Sequence, residues 1–74
     1  MGNTRFAIER MLYLDRKLRL RQYPNCLQVA KYFEVDRRTI ERDIAFMRVR
    51  LGAQIEFDNK NGGFVYIGKS PFEL

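Results

Sequence analysis

Residues 35–44 read VDRRTIERDI, and the fold turns on how this stretch is arranged in space. Ile40 and Ile44 lie four apart, and Met47 and Leu51 continue the same spacing. At about 100° per residue the four share one direction, the buried stripe of an amphipathic helix. Arg38 and Arg42 then fall on the opposite side, and Ala45 and Val49 prolong their line. Thr39 and Glu41 flank the arginines, while Arg37 and Asp43 lie at the borders of the buried stripe. Asp36 is placed to cap the helix and Gly52 to close it in a left-handed conformation. The spacing therefore predicts a helix over 37–51.

Before this helix, YPNCLQ at 23–28 marks another start. Pro24 ends what precedes it. Asn25 is a good N-cap, and Gln28 completes a pattern like a capping box. A short helix over 26–33 follows, with Val29, Ala30 and Phe33 inward and Cys26 one turn before Ala30 on that face. Residues 4–20 predict a longer helix, with Ala7, Met11, Leu14 and Leu18 at spacings of three and four. Ile8 and Leu12 lie beside that stripe, and Asn3 or Thr4 is expected to cap it. After Gly52 the period drops from 3.6 to 2. QIEFD alternates, FVYI is β-prone, and NKNGG between them is rich in turn formers. A β-hairpin is expected over 54–67. The order of elements defines an α+β winged helix-turn-helix: three helices, then a two-stranded hairpin wing. The chain, 1–74, reads as one domain, with 68–74 as the start of a linker to a region not in this sequence.

Composition narrows the chemistry. With 74 residues the chain supports a single small core, burying about 60% of its unfolded surface. Fourteen Lys and Arg against nine Asp and Glu give a formal charge of +5 and a pI near 9.8. That excess suits an anionic partner, either nucleic acid or a membrane surface. One cysteine and no histidine leave no disulfide framework and no zinc ligand set, and a cytoplasmic location is expected. No apolar run reaches the length of a membrane span. The opening MGNTRF lacks the Ser or Thr of an acylation signal, since Phe6 stands there. Glu41 and Asp43 face different ways and form no carboxylate pair. With no glycine-rich phosphate loop either, the chain is expected not to be an enzyme and to need no cofactor or metal.

The outward side of helix 37–51 suits a major groove, where the first residues of a helix meet base edges. Arg38 and Arg42 can bond guanine, Thr39 a phosphate or a thymine methyl, and Glu41 a cytosine. The competing reading is a solvated face in which Arg37 or Arg38 pairs with Glu41. At the wing tip, Lys60 and Asn61 can approach the backbone or minor groove, or simply sit in a solvated turn. Arg19 and Arg21 can reach phosphate or solvate a helix end. Phe6, Phe33, Phe57, Phe64 and Tyr66 are expected in core and sheet packing. Tyr23 is expected against the start of the second helix and Phe46 against the wing. Cys26 is expected as a small apolar residue inside.

In order, YPNCLQVAKYFEVDRRTIERDI, GAQIEFD and GGFVYI resemble the N-terminal DNA-binding domain of bacterial WYL-domain transcriptional regulators, which are DeoR-like winged helices. LDRKLRLRQYPN is similar to the family's linker into the motif, and PFEL to the segment that leaves the wing. Glu34 stands where the family often has glycine, so the turn is expected to be strained or differently shaped. Asp36 replaces the usual serine cap. Leu20 and Arg21 replace a small pair, so the first helix is expected to run longer. The resemblance implies sequence-specific double-stranded DNA binding by a repressor, with Arg37, Arg38, Thr39, Glu41, Arg42, Lys60, Asn61, Arg19 and Arg21 at the interface. It implies a homodimer in the full-length protein and an effector ligand bound by the absent C-terminal region. A winged-helix module that docks proteins through Ala45, Phe46 and Val49 is the chief alternative, and an RNA binder the third.

Overall fold

The computed structural model describes residues 4–73, with side chains from Phe6 onward. Its elements are α1 (Thr4–Arg19), α2 (Cys26–Phe33), α3 (Arg37–Arg50), β1 (Ile55–Asp58) and β2 (Gly63–Tyr66). Three helices followed by an antiparallel hairpin make an α+β, winged-helix-like fold. The expected cap of α1, Asn3 or the Thr4 side chain, lies outside the described part of the chain. No helix of the described residues is long and apolar enough to cross a membrane.

Local chemistry sets the helix ends. The Gln28 amide donates to Asn25 Oδ1 at 2.8 Å, and the Arg38 amide to Asp36 Oδ1 at 2.8 Å. Both caps satisfy a backbone donor that a helix start leaves free. α1 stops at Arg19 rather than Leu20, and it does not run longer as the missing small pair suggested. Arg21 takes φ 55°, and the Arg21 and Gln22 amides return to Leu18 and Lys17 carbonyls at 3.1 and 3.0 Å. Non-glycine residues thus close the helix in left-handed geometry. Glu34 does the same after α2, with φ 58° and ψ 48°. The turn keeps its ordinary shape, with the Val35 amide on the Ala30 carbonyl at 2.9 Å, and carries the steric strain of a Cβ in that region. α3 ends at Arg50, one residue earlier than expected, so Leu51 lies past the last helical turn and is 38% exposed instead of completing the buried stripe. Gly52, at φ +72°, does close the segment.

In the wing, Ile55 faces Tyr66 and Asp58 faces Gly63. Gly62 supplies the left-handed turn residue, φ +71°, with its amide on the Asp58 carbonyl at 2.8 Å. Gly63 is needed for a different reason. A Cβ there would lie 1.9 Å from the Tyr23 carbonyl oxygen. This close approach lets the Phe64 amide reach the Pro24 carbonyl at 2.7 Å, pinning β2 beside the start of α2.

The core is one cluster, drawn from Met11, Leu14 and Leu18 of α1, Val29 and Ala30 of α2, and Ile40, Ile44 and Met47 of α3, with Ile55 and Tyr66 of the wing. Leu14, Ile40 and Met47 are fully buried. Burying such a side chain contributes about 1.5–3 kcal/mol. Two polar links cross the core's edge. Arg10 holds Asp43 with Nε on Oδ2 at 2.5 Å and Nη2 on Oδ1 at 3.2 Å. Asp15, buried on α1, accepts from Tyr66 Oη at 2.8 Å, from Ser70 Oγ and from Arg19 Nε at 3.0 Å. These bonds tie α1, the wing base and residues after β2 together. Burial, then the hydrogen bond to Asp15, pushes the Tyr66 phenol pKa up.

Phe33 and Phe64 pack against the core as expected, and Tyr66 is inside it. Phe6 and Phe57 are not: they are 49% and 47% exposed. Phe57 keeps one sheet contact, edge-on to Phe64 at 5.1 Å. Phe46 is not buried against the wing. It is 43% exposed, with the Arg50 guanidinium 5.8 Å over its ring. Leu27, which stands where the resembled family has a polar residue and was expected exposed on that ground, is exposed.

Candidate nucleic-acid interface

α3 supplies three arginines in its first turns, and the fold treats them differently. Arg37 Nε lies 3.2 Å from Glu41 Oε2, one turn on, so this pair forms the surface ion pair that the sequence allowed. Arg38 and Arg42 are exposed, and among the described residues neither side chain has a carboxylate partner. Like charges one helical turn apart repel mildly. An anion between or over them relieves that repulsion. Thr39 is half-buried at the edge of this face, and Val49, farther along it, is 78% exposed.

Asp43 was expected at the border of the buried stripe and is buried, held by Arg10. Arg42 projects outward by helical period, while its neighbour Asp43 is held inward against α1. A second tie was not legible in the sequence. Arg48 Nε donates to the Ile55 carbonyl at 3.0 Å, and its guanidinium lies 5.7 Å over the Phe64 ring. Arg48 thereby links the wing to α3.

The wing tip is preorganised around Asp58. The Lys60 and Asn61 amides donate to Asp58 Oδ1 at 2.9 and 3.1 Å, and Asn61 Nδ2 donates to Oδ2 at 3.0 Å. These bonds hold the Asp58 carboxyl pKa below its ordinary value. The Asn61 side chain is therefore occupied within the turn, and Lys60 is left with an exposed side chain. Asn25 Nδ2 also reaches the Gly62 carbonyl at 3.4 Å, linking the tip to the cap of α2.

α3 and the wing share one hollow, lined by Leu27, Arg37, Glu41, Phe57, Gly62 and Phe64. Arg19 and Arg21 are not part of it. They border a separate hollow with Tyr66, Ser70 and Glu73, and Arg19 is engaged by Asp15. Cys26, expected inside, is half-buried: it packs against the core's edge and also lines the first hollow. Burial, reinforced by Glu41, pushes its thiol pKa up and disfavours the reactive thiolate.

No family model matches this chain, and no curated protein or solved structure matches it either.

Proposed function

We propose that this chain binds double-stranded DNA, with α3 in the major groove and the wing against the backbone or minor groove. One observation carries the reading: Arg38 and Arg42 stand uncovered, one turn apart, on the helix that follows a tight helix-turn-helix corner. A helix presenting cations from its first turns fits the groove where arginine bonds guanine. The formal charge of +5 favours the same partner. Lys60 suits a phosphate contact, which positions without reading sequence. In keeping with the resemblance in its motifs, the chain is the DNA-binding part of a WYL-type bacterial regulator, acting as a repressor and pairing through the rest of the full-length protein.

Selection of bound duplexes from a random pool, followed by affinity measurement on the winner, tests this. Arg38→Ala is expected to weaken binding by about 1–3 kcal/mol and to relax preference at one base pair. Uniform weakening across all sequences would remove Arg38 from base readout. Exposure of Val49 and Phe46 favours a second reading, a protein-docking face. Salt separates the two, since DNA affinity falls steeply with added salt and an apolar contact does not.

A further inference from the structure

The residues after β2, 68–73, do not leave the domain as free chain. Ser70 is 5% exposed. Its hydroxyl donates to Asp15 Oδ1, the oxygen that also takes Tyr66 Oη at 2.8 Å. Arg19 Nε holds the other carboxylate oxygen at 3.0 Å. Ser70 Oγ accepts the Phe72 amide at 3.0 Å, and the Ser70 carbonyl accepts the Glu73 amide at 3.2 Å. At the root of the segment the Ile67 amide donates to the Gln54 carbonyl at 2.9 Å, and a Cβ on Gly68 would lie 2.1 Å from Gln54 Oε1. Residues 68–73 thus form a strap, fastened to α1 through Ser70 and rooted beside the residue that precedes β1. From the strap a line of contacts runs to α3. Tyr66 ends β2 and pairs with Ile55. The Ile55 carbonyl accepts from Arg48 Nε of α3 at 3.0 Å, and the Ala53 amide donates to the Met47 carbonyl at 2.9 Å. Contiguous hydrogen bonds and strand pairing of this kind can carry coupling between sites.

We propose that this strap governs the wing. While Ser70 is on Asp15 the wing base is held; when residues 68–73 lift away, the wing base loosens and duplex binding weakens. The effect on duplex rests on the DNA-binding reading, and the effect on the wing does not. Ordering and release of a segment is a recurrent switching device. The physical cause here is the shared oxygen. Two hydroxyls satisfy Asp15 Oδ1. With Ser70 gone, water reaches that oxygen and competes with Tyr66, since a buried carboxylate left short of donors is costly. Anything that draws on residues 71–73, by contact or by tension, acts through this bond.

Amide hydrogen exchange, resolved by NMR at low denaturant concentrations, tests the proposal, with melting temperature as the check on folding. Phe72 reports on the strap, Ile67 on the wing base, Ala53 on its junction with α3, and Ile44, inside α3, on unfolding of the whole core. In the unmutated chain the first three are expected to share one opening free energy, with a denaturant dependence shallower than that of Ile44. Ser70→Ala is expected to lower protection at Ile67 and Ala53 about ten-fold, with the dependence still shallow. Tyr66→Phe keeps the ring and removes the hydroxyl, so in its background Ser70→Ala is expected to leave Ala53 unchanged. Protection at Ile67 and Ala53 that does not respond to Ser70→Ala, or that falls only through unfolding of the whole core, overturns the strap. Saturating duplex then tests the link to DNA. Coupling is reciprocal, so a duplex that prefers the held wing is expected to raise protection at Ile67 about five-fold or more. Unaltered protection in a chain that binds duplex overturns the effect on DNA and leaves α3's role intact. Failure to bind any duplex overturns the DNA-binding reading and the effect on DNA with it, while exchange of the free chain still decides the hold on the wing.

Discussion

Glu34 occupies a backbone conformation that glycine adopts without cost. Its φ of 58° places a Cβ against the chain, a strain of roughly 1–2 kcal/mol for an L-residue. Glycine relieves that strain but loses more freedom on folding. Glu34→Gly is therefore expected to stabilise the domain by about 0.5–1 kcal/mol, read from the urea midpoint at unchanged m-value. A lower midpoint would mean that the glutamate side chain contributes more than its backbone costs. Gly63 is the opposite case. Its φ is ordinary, yet the Tyr23 carbonyl leaves no room for a side chain. The pair Gly62–Gly63 is visible in the sequence as a turn signal, but the two residues serve separate needs.

At the scale of elements, the wing tip depends on one carboxylate. Asp58 receives the Lys60 and Asn61 amides and the Asn61 side chain. Its folded pKa is depressed, so its contribution to the turn is complete above the ordinary carboxylate value of about 3.9 and is lost as pH falls through the folded value. The amide resonances of Lys60 and Asn61 are expected to move with a midpoint below that value. A midpoint at or above it would mean that the turn bonds do not hold in solution. Arg48 shows why wing placement escapes the sequence. By period it lies at the flank of α3's buried stripe, and only the folded chain shows its guanidinium on the Ile55 carbonyl.

Across the whole molecule, Arg10 and Asp43 join α1 to α3 over a separation of 33 residues. Their side chains are 13% and 8% exposed, so the pair is largely desolvated. Removing one partner of such a pair costs about 3–5 kcal/mol, because the other charge is left buried alone. Arg10→Met is expected to destabilise by that amount, and Arg10→Met with Asp43→Leu to recover most of it, measured by denaturant unfolding. A single variant within about 1 kcal/mol of the parent would show that α3's orientation does not rest on this link. The wing base and the residues after β2 are held similarly, through Asp15, Tyr66 and Ser70.

Much of the architecture was legible because local chemistry dictates it. Periods of 3.6 and 2, the caps Asn25 and Asp36, and the closing Gly52 specify the elements to within a residue or so. The same period puts Arg38 and Arg42 opposite Ile40 and Ile44. Asp15 was a readable anomaly, a carboxylate one turn from Met11 on the apolar stripe, although its partners were not foreseeable. What the tertiary structure alone decided is which charges are consumed by links between elements. Arg10, Arg19, Arg37 and Arg48 are each engaged within the fold, whereas Arg38 and Arg42 are left uncovered among the described residues. Helical period places a side chain by rotation about one axis. The pairs Arg19–Asp15 and Arg37–Glu41 are one helical turn apart and within reach of the sequence, whereas Arg10–Asp43 and the Arg48–Ile55 bond join different elements and appear only once the helices and wing have packed.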